Sequence, residues 1–137
     1  MRIMAVDYGR KRVGIAVTDP QCTISQPLST LKVISRHQVV QRLSGLIKEL
    51  DIHRVIVGYP CSLDGMPTEM THEIERFIKQ LKKKVKVTIE LWDERLTSKY
   101  AHTTLKTMGI RRHKDTVDQV AACIMLDEYL KKKCQVS

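Results

Sequence analysis

Aromatic residues are scarce in this chain of 137 residues. It contains one tryptophan, one phenylalanine and four tyrosines. They are scattered along the chain and are not spaced as a platform on which the bases of a single strand could stack. The sequence therefore does not support recognition of single-stranded nucleic acid by base stacking.

Long apolar runs and cysteine motifs are also absent from the sequence. No apolar run approaches the roughly 20 residues that a membrane-spanning helix needs, and the N-terminal segment lacks the pattern of a signal peptide. The four cysteines form no C-x-x-C pair, and the five histidines form no H-E-x-x-H motif. These absences predict a cytoplasmic protein with reduced thiols, no membrane segment and no zinc site.

Acidic residues are outnumbered by basic ones. The chain has 24 lysines and arginines against 15 aspartates and glutamates, which gives a formal net charge of +9. A surplus of this size suits nucleic acid or another anionic surface as a partner. A solvated basic protein without such a partner would have the same composition, so charge alone leaves both interpretations open.

Segments typical of strands alternate with amphipathic segments along the chain. The predicted strands are 2–7, 12–18, 27–33, 54–58 and 85–92. Gly9 supplies a tight bend between the first two strands. Four helices are predicted. The first begins after a cap at Ser35 and ends at Leu50, and the second covers about 70–81. A short third helix lies between 97 and 109, and the last covers about 116–133.

This order of elements predicts an α/β fold. A leading antiparallel meander is followed by parallel strands in one mixed sheet, which helices flank. The continuous apolar run 54–58 is typical of a central parallel strand that is buried on both faces. No linker, repeat or low-complexity stretch divides the chain. We therefore expect a single domain over 1–137, with about 131–137 as a basic C-terminal tail.

Acidic residues lie where several of these elements end or begin. Asp7 ends the first strand, Asp93 and Glu94 end the strand 85–92, and Asp118 lies in the first turn of the last helix. Sites in open α/β sheets collect at the carboxyl ends of parallel strands. A divalent cation relieves the repulsion of converging carboxylates, and Mg²⁺ and Mn²⁺ prefer oxygen ligands. Such ions can activate water against a phosphodiester, so the acids favour a metal-dependent nuclease.

Each acidic residue also has a structural explanation. Asp7 can be a turn residue beside Gly9, and Asp118 can belong to a helix cap with Asp115. Asp93 or Glu94 can interact favourably with the positive end of the dipole of the next helix. Because alternation places 93 and 94 on opposite faces of the strand, only one of them can point into a given site, and the pattern alone does not choose between them.

Basic residues lie next to the acidic ones in the sequence. Side chains of this kind would hold a phosphate backbone by charge. The alternatives are solvated loops, or an internal ion pair in the case of Arg95. The lysine triplets 82–84 and 131–133 end helices, where positive charges interact favourably with the helix dipole. For these triplets a structural role is the preferred interpretation. The candidate nucleic-acid-binding residues are Arg10, Lys11, Arg12, Arg95, Arg111, Arg112 and Lys114.

Four motifs together resemble the YqgF family, whose members are Holliday-junction-resolvase-like proteins also described as pre-16S rRNA nucleases. Residues 7–14, DYGRKRVG, resemble its D-x-G-x-x-R-x-G opening, and residues 58–65, GYPCSLDG, resemble its G-x-P-x-x-x-D-G loop. Residues 93–98, DERLTS, resemble D-E-R-L-T-T, and residues 118–122, DQVAA, resemble D-x-x-A-A. The motifs occur in family order over nearly the whole chain, which makes the resemblance specific.

The resemblance implies an RNase H-like fold and a Mg²⁺ or Mn²⁺ site. Its ligands and catalytic residues would be Asp7, Glu94 and Asp118, which selects Glu94 over Asp93. The implied role is trimming the 5′ end of precursor 16S rRNA in ribosome biogenesis. Ser98 and Tyr59 depart from the family pattern without affecting this acidic set. Related nucleases carry a fourth acidic residue, for which Asp64 and Asp93 are the nearest spares.

Other functions stay open at the level of sequence. A junction resolvase acting on branched DNA would need the same metals and similar basic surfaces as a nuclease acting on structured RNA. The absence of a clear fourth acid favours a non-catalytic nucleic-acid-binding assembly factor. A phosphate-binding ATPase-like domain is disfavoured because 137 residues leave little room for a second lobe. The sequence does not distinguish a monomer from a homodimer.

Overall fold

A computed structural model describes residues 2–59, 68–93 and 114–136, with the backbone alone for 93, 114–118 and 133–136. The elements are three strands, β1 (Arg2–Tyr8), β2 (Arg12–Thr18) and β3 (Ser25–Lys32), then α1 (Arg36–Glu49), β4 (Ile52–Tyr59), α2 (Glu69–Lys84), β5 (Thr88–Asp93) and α3 (Lys114–Val136).

The five strands form one sheet in the order β3-β2-β1-β4-β5. β1 pairs with β2, and β2 with β3, in antiparallel fashion. β1 pairs with β4, and β4 with β5, in parallel. The predicted meander followed by parallel strands is confirmed. The end of the sheet where β1, β4 and β5 finish is called the carboxyl edge below, and the opposite end is called the amino edge.

The two faces of the sheet carry different helices because side chains alternate along each strand. Met4, Val6 and Tyr8 of β1 pack in a cluster with the apolar sides of α1 and α2. Ile3 and Ala5 pack in a second cluster with α3, through residues that include Ala122, Met125 and Leu126. Among the described residues, no helix has the length and apolar character that crossing a membrane requires.

Local signals in the sequence account for several element boundaries. The side chain of Ser35 accepts a hydrogen bond from the Gln38 amide at 3.2 Å, which confirms the predicted cap of α1. α2 begins with a capping box that the sequence analysis missed, in which Thr68 and Thr71 bond each other's backbone N–H. Both helices thereby satisfy backbone donors that have no partner inside the helix.

Several predicted boundaries differ from those in the structure. β4 begins at Ile52 and not at 54, and α2 ends at Lys84 and not at about 81. β5 begins at Thr88 and not at 85, because Val85 still donates its backbone N–H to the Leu81 carbonyl at 3.0 Å and so ends α2. β3 begins at Ser25, two residues before the predicted start. α3 runs from Lys114 to Val136 and includes most of the segment expected as a tail. The short helix predicted between 97 and 109 lies outside the described residues.

Gly9 makes the tight bend between β1 and β2 that the sequence predicts. Its backbone N–H donates to the Arg12 carbonyl at 2.9 Å, and a Cβ built on it would lie 2.7 Å from that same oxygen. The close contact is with backbone, so the hairpin would have to move to admit a side chain. Only glycine fits this bend without such a shift.

We expect Gly9→Ala to lower the free energy of unfolding by about 1–3 kcal/mol, the usual cost of overpacking. Urea unfolding measures this. Gly45→Ala is the matched control, because Gly45 lies in α1 with no atom within 4 Å of an added Cβ. Alanine there should stabilise the protein by up to about 1 kcal/mol through helix propensity. Equal effects of the two substitutions would contradict the steric explanation.

Candidate functional site

Asp7 lies in the penultimate position of the central strand, at the carboxyl edge. It is half-buried and belongs to β1, not to the turn that follows. Its Cα is paired with that of Gly14 in β2, and Gly14 is paired with Thr30 in β3. Alternation places Asp7 on the same face as Ile3 and Ala5, which is the face that α3 covers. Asp7 is therefore not a turn residue.

The carboxylate of Asp7 has neither a hydrogen bond nor an ion pair with any described residue. A half-buried carboxylate loses part of its hydration and is stabilised by a cation or by hydrogen-bond donors. The described part of the chain supplies neither to Asp7, and in that part no three metal-ligating side chains cluster. The position is chemically suited to a ligand for an external cation.

The N-terminal turns of α3 lie over the row of the sheet that contains Asp7. Gln119 Nε2 donates to Thr30 Oγ1 at 2.8 Å, and Thr30 is two strands from Asp7 in the same row. Two strand spacings amount to about 10 Å. Further along α3, Asp127 accepts a hydrogen bond of 2.6 Å from Ser25 Oγ, at the other end of β3. α3 therefore starts at the carboxyl edge and runs toward the amino edge.

Asp118 directly precedes Gln119, so its backbone lies at the carboxyl edge on the face to which Asp7 belongs. The Asp118 side chain is outside the described residues, and so is the side chain of Lys114, the first residue of α3. The structure brings these two backbone positions and Asp7 to one edge of the sheet. The metal-binding role of Asp118 stays a prediction.

β5 shows which residues of this strand share the α3 face. Trp92 packs in the α3-side cluster, with its ring edge-on to Tyr129 at a centroid distance of 5.9 Å. Ile89 packs against the cluster under α1 and α2. Even-numbered positions of β5 thus belong to the α3 face. The predicted residues Glu94, Arg95, Arg111 and Arg112 lie outside the described residues, as does Asp64.

The hairpin between β1 and β2 presents the remaining basic candidates. Arg10 is exposed and forms an ion pair of 3.5 Å with Glu69, itself 92% exposed. Lys11 is exposed, and Arg12 is half-buried. An exposed ion pair is weak and screened by salt, so it leaves Arg10 able to bind phosphate.

Tyr8 is held in a network that sequence reasoning missed, on the face opposite to Asp7. Its hydroxyl donates to Glu73 at 3.2 Å, its ring stacks on Phe77 with centroids 4.5 Å apart, and Arg36 pairs with both Glu73 oxygens at 2.9 and 3.0 Å. Burial first, and then the negative charge of Glu73, raise the pKa of Tyr8 to about 12. The network fixes the end of β1 against both α1 and α2.

The raised pKa of Tyr8 predicts a loss of stability in alkali. Its folded pKa of about 12 exceeds the ordinary value of 10.0. The stabilisation is therefore fully present below pH 10 and declines as the pH rises toward 12. We expect the unfolding free energy of the wild type to fall more steeply between pH 9.5 and about 11 than that of Tyr8→Phe. Urea unfolding across this range measures the difference, and parallel pH profiles would contradict it.

The Gln119–Thr30 hydrogen bond should hold the first turns of α3 in place. Removing it with Gln119→Ala costs about 1 kcal/mol of local stability, which corresponds to roughly fivefold faster amide exchange. Hydrogen exchange of amides 119–122 measures this. Ser25→Ala is the matched control, because it removes the contacts of α3 at the other end of the same strand, where Ser25 Oγ donates to Asp127 and to the Cys123 carbonyl. If the two variants accelerate these amides equally, Gln119 has no local anchoring role.

Comparison with known proteins gives a consistent assignment. The family model described as RuvX: Holliday junction resolvase matches residues 1–132. A protein of Acetivibrio thermocellus named as a pre-16S rRNA nuclease is 38% identical, with 99% of each chain covered. One of Ruminiclostridium cellulolyticum with the same name is 37% identical, over 95% of this chain and 94% of the relative.

Solved structures show the same fold at low identity. Thermus thermophilus RuvC superposes with a TM-score of 0.65 at 12% identity, over 97% of both chains. The fowlpox virus resolvase in complex with Holliday junction DNA superposes with a TM-score of 0.63 at 12% identity, over 97% of this chain and 99% of that one. These likenesses confirm the RNase H-like architecture, and with the full-length sequence matches they lead to one conclusion. The chain belongs to the RuvX family, which is also called YqgF.

Proposed function

We propose that this protein is a metal-dependent nuclease that hydrolyses phosphodiester bonds at the carboxyl edge of its sheet, and that it matures the 5′ end of precursor 16S rRNA in the cytoplasm. Asp7, Glu94 and Asp118 are its catalytic, metal-binding residues. The observation that carries the proposal is the half-buried carboxylate of Asp7, which no described residue neutralises and which lies on the face covered by the first turns of α3.

The donor set fits Mg²⁺ or Mn²⁺. Three carboxylates offer hard oxygen ligands, and both cations prefer oxygen. When bound, the ion supplies a Lewis acid for the phosphate oxygens and lowers the pKa of a water molecule. The chain contributes the position of the ligands: Asp7 is paired with Gly14 of β2 and directly follows Val6, which is paired with Val57 of β4. The backbone of Asp118 is held by the neighbouring Gln119–Thr30 bond.

The alternation of β5 supports Glu94 over Asp93 as the third ligand. Trp92 belongs to the α3 face, which is also the face of Asp7. Side chains on one face of a strand recur every two residues. The position that continues the Trp92 series is 94, whereas 93 continues the series of Ile89 and Leu91. The packing of Trp92 on the α3 face supports the proposal without using the D-E-R motif.

Basic side chains around this edge would hold the substrate backbone. Phosphate contacts set register without reading sequence, and their strength falls steeply with salt. The scarcity of aromatic residues agrees with recognition through phosphates and shape, as is usual for structured RNA. The proposed contacts are Arg10, Lys11, Arg12, Arg95, Arg111, Arg112 and Lys114.

A four-way DNA junction is the second candidate substrate. The description of the family model names Holliday junction resolvases, and two resolvases share the fold. The names of the full-length relatives favour ribosomal RNA precursor. Both substrates would use the same acidic residues, so one experiment can compare them directly.

The test is cleavage of a precursor 16S rRNA transcript and of a four-way DNA junction, with Mg²⁺ or Mn²⁺, by wild type and by Asp7→Asn. Loss of a metal ligand should lower the rate at least about 100-fold while binding persists, since even residues that support metal ligands contribute 10–100-fold. Asp51→Asn is the matched control. Asp51 is exposed at the amino edge, and its positive φ of 55° is tolerated by asparagine.

The outcomes separate the candidates. Cutting of the transcript at its 5′ region, abolished by Asp7→Asn and retained by Asp51→Asn, supports the proposal. Preferred cutting of the junction would replace the RNA substrate with DNA. Binding without cutting by the wild type, with either metal, would reject catalysis and leave a nucleic-acid-binding factor. Equal cutting by all three proteins would remove Asp7 from the site.

A further inference from the structure

The topology of the fold brings five lysines together at the amino edge, away from the proposed site. α1 ends at Glu49 just before β4 begins at Ile52, and α2 ends at Lys84 just before β5 begins at Thr88. Since β4 and β5 are parallel neighbours, the C-termini of both helices must lie side by side at this edge. The group that results, called the lysine edge below, is Lys48, Lys82, Lys83, Lys84 and Lys86, all exposed.

The lysine edge has more charge than the helix ends require. A helix C-terminus carries about half a negative charge, which one cation compensates. α2 alone ends in three consecutive lysines, and Lys86 lies beyond the helix. None of the five lysines forms an ion pair with a described residue. The described acids nearest in sequence, Glu49 and Asp51, are exposed and fewer than the lysines.

α2 separates its charges along its length. The acids Glu69, Glu73 and Glu75 lie in its first half, toward the carboxyl edge, and they engage Arg10, Arg36 and Tyr59 respectively. The second half is basic and free of acids. A positive surface therefore remains at the amino edge after the internal ion pairs of α2 are made.

The lysine edge is too far from Asp7 to belong to the same contact. Arg2 and Asp7 are five residues apart in β1, which amounts to about 17 Å along the strand. A trinucleotide bound at the carboxyl edge spans only about 7 Å, at about 3.4 Å per nucleotide, so it would not reach the lysines. A folded nucleic acid with a second segment passing the amino edge would contact both edges at once.

We propose that the lysine edge binds the phosphate backbone of a second, double-helical segment of the folded RNA substrate, distinct from the segment that is cut. Lysines are point charges that hold phosphates without reading bases, and double-stranded RNA is recognised through its backbone and shape. This inference rests on the proposed function, because it makes the substrate class a large folded RNA.

The test compares two doubly substituted proteins in the Asp7→Asn background, so that bound RNA stays intact. Lys83→Gln with Lys86→Gln removes two charges from the lysine edge. Arg42→Gln with Lys32→Gln removes two exposed charges away from the amino edge, in α1 and at the end of β3, and is the matched control. Binding is measured over a series of salt concentrations with a precursor 16S rRNA transcript and with a single-stranded trinucleotide, and thermal unfolding checks that both variants fold.

Loss of two phosphate contacts should weaken transcript binding about tenfold at 0.15 M salt and reduce the slope of log affinity against log salt by about 1.5. Binding of the trinucleotide should not change. Equal weakening by the control pair would overturn the inference, because net charge alone would then explain it. Unchanged transcript binding would also overturn it, as would lysine-dependent capture of phosphatidylserine vesicles without an effect on RNA.

Cleavage by proteins that retain Asp7 separates this inference from the proposed function. If the lysine-edge pair weakens transcript binding while wild type cuts neither RNA, the lysine edge stands and the nuclease assignment fails. If wild type cuts the transcript and the lysine-edge pair neither slows cutting at limiting RNA nor weakens binding, the nuclease stands and the lysine edge fails.

Discussion

The position of β1 in the middle of the sheet is the constraint on which the rest of the structure depends. β1 is antiparallel to β2 on one side and parallel to β4 on the other, so its backbone is hydrogen-bonded along both edges. Its side chains must then divide between two covered faces. One face takes the large residues Met4, Val6 and Tyr8, whereas the other takes Ile3, Ala5 and Asp7. The polar residue lies at the carboxyl end of this second face, where α3 begins.

The two neighbours Tyr8 and Asp7 show how stability and chemistry are divided across the strand. Tyr8 is 4% exposed and is held by Phe77, Glu73 and, through Glu73, by Arg36. These contacts fix the C-terminal end of the strand from one face of the sheet. Asp7 has no such contacts among the described residues, and its direction follows from the restraint on its neighbour. A rigid support on one face thereby orients an unneutralised carboxylate on the other.

Much of the fold could be predicted because its signals are local. Gly9, the Ser35 cap and the apolar run before Gly58 each depend on residues near in sequence, and each appears in the structure where it was expected. Val85 and Val87 misled the prediction of β5, because β-branched residues favour a strand whereas the hydrogen bond from Val85 N–H to the Leu81 carbonyl makes residue 85 the C-cap of α2. At residue 85 the hydrogen bond that ends the helix outweighs the strand propensity of valine.

The site was less predictable than the fold because its contacts join distant parts of the chain. Alternation places Asp7 on a face, but only the Gln119–Thr30 bond, between residues 89 apart, shows that α3 starts over that row. The Tyr8–Glu73 bond joins residues 65 apart, and nothing in the local pattern pairs them. The sequence alone did not choose between Asp93 and Glu94. The resemblance implies Glu94, which lies outside the described residues, so its role stays a prediction.

The course of α3 across the sheet also has a consequence for how the protein is made. This helix is the last element of the described chain, yet it covers Ile3 and Ala5 of the first strand. During synthesis the first strands emerge well before the helix that buries their second face, so that face stays open to water or to a chaperone until α3 emerges. The two covered faces of the sheet are thereby completed at different times, and the face that carries Asp7 is covered last.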